Sequence, residues 1–328
     1  MSARGDTVGI VGAGAFGTGL AVALARSGRP VTVYTRTPSI ANAIEATRRC
    51  PRLPDVDVPA SVRVIGDVKE LAASARYIVL AVASQDAPAR LAELGAVIDG
   101  GHIVVHAIGS LAGTGDERVS AIIERATPAL RIGVLAGPAL PRDLGAGQFA
   151  SMVIASGFDE VVRETRRLLN LPPFLRVYGS RDVVGVELAS ALAGAYTVAL
   201  GIADGIKVGP GPRAVAITRA VAEASRLAET AGGQVRTMSG LAGLGNMLVR
   251  AGDPDDPDYQ LGLALARQEK VEHARYTEGA RAALAGVRLA QRKGVHMPLL
   301  TGVAAVLAGK ASVRDAARLA ADTVAEEE

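Results

Sequence analysis

Residues 8–19 read Val8-Gly-Ile-Val-Gly12-Ala-Gly14-Ala-Phe-Gly17-Thr-Gly19, a short apolar run followed at once by Gly-x-Gly-x-x-Gly. That order suits a strand, a tight turn and the start of a helix. Gly12 permits the turn, Gly14 leaves the backbone open to close approach, and Gly17 lets the helix pack against the strand. A helix N-terminus adds N–H groups without partners and a positive dipole end, which together suit the pyrophosphate of a dinucleotide. The amphipathic stretch from Leu20 to Arg26 supplies that helix. A glycine turn of purely structural use is the alternative reading of the same residues.

Further apolar runs follow at the spacing of alternating strands and helices. They are Val31–Thr35, Tyr77–Val82, Ile103–Ala107 and Ile132–Ala136, with Ser151–Ala155 and Phe174–Tyr178 extending the sheet. Runs of this length between helical segments point to a parallel sheet covered on both faces. From Asp182 onward strand signals vanish, and helices alternate with glycine-rich turns at 209–213, 231–233, 239–245, 251–258 and 293–298. The predicted fold class is α/β: a doubly wound, Rossmann-type sheet domain over 1–182, then an all-helical domain over 183–328. The acidic tail Glu326–Glu328 reads as a frayed end.

Composition narrows the function classes. The 328 residues are 49% hydrophobic and 21% charged, enough for a substantial core in two domains. A net charge of +3 and 3% aromatic residues argue against nucleic acid as a partner. The single cysteine, Cys50, rules out an internal disulfide and suits a reducing cytoplasm. The N-terminus enters the first strand without a signal-peptide pattern. No membrane span is expected, residues 191–203 coming nearest and suiting a buried core helix better. His102, His273 and His296 show no metal-ligand spacing with acids or Cys50, so no metal site is expected.

An ordered set of segments resembles the NAD(P)-dependent glycerol-3-phosphate dehydrogenase family, which reduces dihydroxyacetone phosphate. Gly12–Thr18 resembles the family's cofactor turn and Val33–Arg36 its second-strand end. Ala81–Ser84 resembles its Val-Pro-Ser element, and Gly137–Pro141 its Gly-Pro-Ser-x-Ala. In the second half, Val184–Leu188, Gly201–Gly205, Gly240–Gly245 and Thr277–Gly279 keep the family order and spacing. The resemblance implies NADP or NAD as cofactor, contacts from Ala15, Phe16, Arg36 and Glu278, and a homodimer. It places Gly137, Ala139 and Asn246 on the substrate side. Arg36 stands where NAD-selective folds carry an acid, so it suits a 2′-phosphate; a solvated surface arginine is the alternative. Glu278 has its own alternative, a helix-cap or surface acid after Thr277.

The departures from the family fall at the reaction centre. Two family lysines, one in a Lys-Gly pair and one in Leu-Lys-Asn, read here as Ile108-Gly109 and Leu192-Ala193-Gly194. No lysine occurs between Lys69 and Lys207, so no shift of alignment restores them. The family's Gly-Leu-Gly-Asp becomes Gly243-Leu-Gly-Asn246, and its Ser-Arg-Asn phosphate clamp falls on Asp256-Pro257-Asp258. The family's Asn-x-x-Tyr-Leu-Pro reads Arg49-Cys-Pro-Arg52-Leu-Pro54, without the tyrosine. Ketone reduction needs a proton for the forming alkoxide, and losing a positioned acid typically lowers the rate about 10²–10⁴-fold. Asp256 and Asp258 are expected to repel a phosphate dianion, and the pocket at Ile108, Ala193 and Gly194 to be roomy and apolar. His106, Tyr196 and Asn246 are the candidates for a replacement polar group, although a core role is the commoner reading of His106 and Tyr196. Three readings stay open: an oxidoreductase with diverged or lost dihydroxyacetone phosphate reductase activity, acting on an unknown small-molecule substrate; a non-catalytic nicotinamide-nucleotide sensor or partner subunit; and an active dehydrogenase with an atypical site.

Overall fold

The computed structural model describes residues 5–113, 116–273 and 276–322, without the side chains of 319–322. The acidic tail falls outside the described residues. The chain forms two compact units, one of the chain up to Ile108 plus Val119–Val183, the other of Gly109–Arg118 plus the chain from Val184 on.

The first unit begins with β1 (Val8–Val11), α1 (Ala15–Arg26), β2 (Val31–Tyr34) and α2 (Pro38–Thr47). A small hairpin, β3 (Arg49–Cys50) and β4 (Leu53–Asp57), leads to β5 (Val62–Ile65), α3 (Val68–Ser74) and β6 (Tyr77–Leu80). A 3₁₀ turn (Ser84–Asp86), α4 (Ala87–Gly95), β7 (Ile103–His106), α5 (Val119–Ala126) and β8 (Arg131–Ala136) follow. The unit ends with α6 (Pro141–Ala146), β9 (Ala150–Ala155), α7 (Asp159–Leu169) and β10 (Leu175–Ser180). Eight strands form one sheet in the order β10-β9-β8-β7-β6-β1-β2-β5. β1 lies between β2 and β6, with Val11 level with both Tyr34 and Leu80. The chain leaves β1 toward β2 in one direction and β6 toward β7 in the other, which makes the C-terminal ends of β1 and β6 the topological switch point. Four-residue strands buried throughout, as in β1, β2, β6 and β7, are what a sheet covered on both faces requires.

The doubly wound sheet is borne out, with one reversal. β8 and β9 pair antiparallel, whereas the sequence pattern predicts a sheet parallel throughout. Their connection, 137–149, carries only the six-residue α6. β5 and the hairpin lie outside the sequence expectation. β5 is a four-residue edge strand, Val-Arg-Val-Ile, interrupted by the exposed Arg63, and β4 contains Pro54.

The second unit is helical: α8 (Val183–Gly205), α9 (Pro210–Thr230), α10 (Val235–Met238), a π turn (Leu241–Gly245), α11 (Asn246–Ala251), α12 (Pro257–Ala266), α13 (Glu278–Lys293), α14 (Pro298–Leu307) and α15 (Val313–Asp322). Three of the expected turns contain or lead into a proline that starts the next helix, Pro210, Pro257 and Pro298, because proline suits the first helical position. By length and composition α8 could cross a membrane, yet 89% of its most apolar window is buried inside the fold. Every residue from Gly185 to Gly201 is buried, as in a core helix apolar on most of its faces. Glu223 of α9 binds the start of α14: its carboxylate accepts from the Leu299 N–H (2.7 Å) and the Leu300 N–H (3.1 Å), and the Tyr196 hydroxyl donates to it at 2.9 Å. Gly109–Arg118, between β7 and α5 in the chain, is tied to helices of this unit. Arg118 pairs with the buried Glu187 at 3.1 Å, and Asp116 accepts from Arg288 at 2.6 and 2.7 Å.

Candidate active site

The glycine turn has the three-part geometry its sequence implies. Gly12 has φ +116°, and a Cβ there would collide with the Ala81 carbonyl oxygen; one on Gly17 would collide with the Gly12 carbonyl oxygen. Gly14 has nothing within 4 Å of where its Cβ would be. It caps α1 in an extended conformation, so Ala15 and Phe16 open the helix with N–H groups that have no intrahelical acceptor. The turn is fastened on both flanks, by the Gly12 N–H to the Tyr34 carbonyl (2.9 Å) and the Ala81 N–H to the Val11 carbonyl (2.8 Å). No acid stands in the first turn of α1 to oppose an anion. Open space over Gly14, faced by free N–H groups, fits the pyrophosphate of NAD or NADP.

Beyond β2, the Arg36 guanidinium pairs with Asp86 at 3.4 Å, with side chains 56% and 41% exposed. Beneath them, the Tyr34 hydroxyl donates to Glu93 at 3.4 Å and Arg90 pairs with the same carboxylate. On the neighbouring strands, His106 of β7 is fully buried and its Nδ1 accepts from the Ile108 N–H at 3.4 Å. Ile108 is buried as well. Gly137 follows β8 with φ +142°, a conformation in which a Cβ would crowd the Ser151 carbonyl, and Ala139 lies just beyond it at 9% exposure.

In the helical unit, Ala193 is buried on α8, and its neighbour Gly194 faces charged groups. The volume next to Gly194 holds the Arg250 guanidinium and the Asp258 carboxylate, which a Cβ on Gly194 would meet at 2.7 and 3.0 Å. Arg250 of α11 donates from Nε to Asp256 at 2.9 Å and from Nη2 to Asp258. Asp256 caps α12 by accepting from the Asp258 and Tyr259 N–H groups, at 2.9 and 3.1 Å. Asp258 accepts from the Gly279 N–H at 2.9 Å, at the start of α13. Burial pushes the Asp256 carboxyl above its ordinary pKa, against the pull of Arg250. Burial alone would lower Arg250, but the two carboxylates more than offset it and hold the guanidinium charged. The acids expected to face a phosphate are instead turned inward onto one cation.

The other candidates are placed as follows. Tyr196 is fully buried, and burial followed by the Glu223 charge pushes its hydroxyl well above the ordinary tyrosine pKa. Asn246 opens α11 directly after the π turn. Glu278 opens α13 next to its cap Thr277, whose side chain accepts from the Ala280 N–H, and it pairs with Arg281 at 3.3 Å. Arg250 is the residue that sequence reasoning misses. Its only trace in sequence is a cation six and eight residues before two acids, a spacing that says nothing until the α11–α12 turn folds it back.

A doubly wound unit with a phosphate-ready glycine turn, followed by a helical unit, defines the nicotinamide-dinucleotide oxidoreductases as the class. Family models narrow it: that of the NAD-dependent glycerol-3-phosphate dehydrogenase N-terminus matches residues 7–162 and that of its C-terminus matches 182–318. Glycerol-3-phosphate dehydrogenase [NAD(P)+] of Methylobacterium radiotolerans is 36% identical over 321 residues, covering 96% of each chain. The enzyme of the same name from a Bradyrhizobium species is 32% identical over 309 residues, covering 94% of each. The crystal structure of glycerol-3-phosphate dehydrogenase from Coxiella burnetii superposes with a TM-score of 0.90 at 26% identity, covering 97% of this chain and 99% of that one. The chain belongs to the NAD-dependent glycerol-3-phosphate dehydrogenase family, and NAD or NADP is its cofactor.

Proposed function

We propose that this NAD(P)-dependent oxidoreductase has diverged from, or lost, dihydroxyacetone phosphate reduction, and that any substrate it keeps is a carbonyl or alcohol without a phosphate dianion. One observation carries the reading: beside Gly194, next to Ala193 in the chain, the helical unit holds a closed Arg250–Asp256–Asp258 cluster. One cation against two carboxylates leaves that cluster with a formal charge of −1, which disfavours a dianion. Ala193 has no proton to deliver to an alkoxide. Gly14, Ala15 and Phe16 would hold the pyrophosphate of NAD or NADP and Arg36 would face its adenosine ribose; the dinucleotide, when bound, would supply the hydride. Asn246 offers an amide that can orient a polar substrate but cannot act as a base. A cytoplasmic homodimer belongs to the same reading and rests on the family.

The test is oxidation of NADPH and NADH with saturating dihydroxyacetone phosphate, beside an active family member. Turnover at least about 10²-fold below the control is expected, in protein that binds NADPH. Comparable turnover overturns the reading and makes the chain an active dehydrogenase with an atypical site. A panel of unphosphorylated ketones and aldehydes then identifies the substrate, and a blank panel with intact NADPH binding favours a non-catalytic role.

A further inference from the structure

Arg36 and Asp86 start from the same level of the sheet. Val11 is paired with Tyr34 on one side and Leu80 on the other; Arg36 lies two residues beyond Tyr34, and Asp86 closes the turn that follows β6. Their ion pair therefore bridges the two strands that flank the glycine turn. A second set of contacts joins the segments that carry it. Tyr34, two residues before Arg36, donates to Glu93, and Arg90, one helical turn after Asp86, pairs with that same carboxylate. The end of β2 and the start of α4 are thus tied together under two exposed charges.

We propose that Asp86 is the residue that sets discrimination between NADP and NAD, by competing with the adenosine 2′-phosphate for Arg36. The proposal rests on the reading of Arg36 as the residue facing the ribose 2′ position. A phosphomonoester carries nearly two negative charges and several acceptor oxygens, so it can take the guanidinium from a carboxylate. To do so it must displace Asp86 and then remain near an uncompensated acid. A 2′-hydroxyl is neutral, competes for Arg36 far more weakly than a phosphate does, and can be bound with the pair intact. Asp86 therefore weakens NADPH selectively. It follows β6, on the opposite side of β1 from the strand end where NAD-selective folds place their ribose acid.

The experiment is titration of NADPH and NADH, followed by the change in dinucleotide fluorescence, on the wild type, D86N, R36Q and the double variant. D86N is expected to tighten NADPH about five- to tenfold at low ionic strength and to change NADH less than about twofold. The gain should shrink as salt is added and vanish in the R36Q background. D86A serves as a second variant, and unchanged melting temperatures confirm that both are folded. Equal shifts for the two dinucleotides, no shift, or a gain that survives R36Q each overturn the role of Asp86. If R36Q leaves the NADPH-to-NADH affinity ratio unchanged, the reading of Arg36 fails and takes the proposal with it; if R36Q lowers that ratio but D86N leaves it unmoved, Asp86 alone is wrong.

Discussion

Arg250 occupies the space that a side chain on Gly194 would need: a Cβ there would stand 2.7 Å from the Arg250 Nη1, 3.0 Å from Asp258 Oδ2 and 3.2 Å from Gly279 Cα. The two positions are therefore coupled: the missing side chain on α8 makes room for the cation on α11. Gly194→Ala is expected to destabilise the protein by about 1–3 kcal/mol, the usual range for overfilling a packed site. In an Arg250→Ala background the same change should be much less harmful, because the colliding guanidinium is gone. Chemical denaturation of the two single variants and the double variant measures the coupling. Additive effects would show that Gly194 is small for a reason unrelated to Arg250.

Arg250 pairs with two carboxylates that are 5% and 1% exposed. Removing one partner of a buried ionic cluster leaves uncompensated charge, which typically destabilises by about 3–5 kcal/mol. Arg250→Met should fall in that range by urea denaturation. Arg250→Lys should fall between wild type and Met, since an ammonium keeps the charge but not the planar fork that reaches Asp256 and Asp258 together. A loss below about 1 kcal/mol for Met would mean that the carboxylates find other partners.

The glycine turn separates binding from stability. A side chain on Gly14 meets nothing in the fold, so Gly14→Val should melt within a few degrees of wild type while losing NADPH binding at least about 100-fold. Gly17→Ala should instead destabilise by more than about 1 kcal/mol, because its Cβ collides with the Gly12 carbonyl. Paired melting and NADPH titration distinguish the two. Retained binding in Gly14→Val would place the pyrophosphate elsewhere.

These contrasts mark where the residues speak locally and where they do not. The turn at Gly12–Gly17 is legible because every residue it needs lies within six positions, and the four central strands because each is an unbroken apolar run. β5 is hidden by Arg63, which an edge strand tolerates, and the reversal at β9 because an apolar run reads the same whichever way its strand points. The helical unit around Ala193 and Gly194 is legible only as a loss. The lysine's absence is a local fact. What fills the space depends on α11 and α12 folding back onto α8 and α13, a contact across a long stretch of chain that no short pattern encodes. Asp256 and Asp258 read as free acids for the same reason, since their partner lies on the preceding helix and only the turn between them brings it round.

Glu223 gives the helical unit a dependence on pH. Burial pushes its carboxyl above the ordinary glutamate pKa, opposed by the Leu299 and Leu300 N–H groups, the Tyr196 hydroxyl and the Arg226 charge. A carboxyl with a raised pKa in the folded state holds its proton more tightly there than in the unfolded chain. Its contribution to stability is full below the unfolded value of about 4.3 and is lost as pH rises through the folded value, by about 1.4 kcal/mol for each pH unit that separates the two values. Glu223→Gln removes that titration and keeps an oxygen for one helix N–H. The stability of wild type minus that of Glu223→Gln should therefore be flat below about pH 4.3, fall above it, and level off again past the folded pKa. Urea denaturation of both proteins across this range measures it. A difference that rises with pH would mean that the two N–H groups of α14 and the Tyr196 hydroxyl stabilise the ionised carboxylate more than burial opposes it.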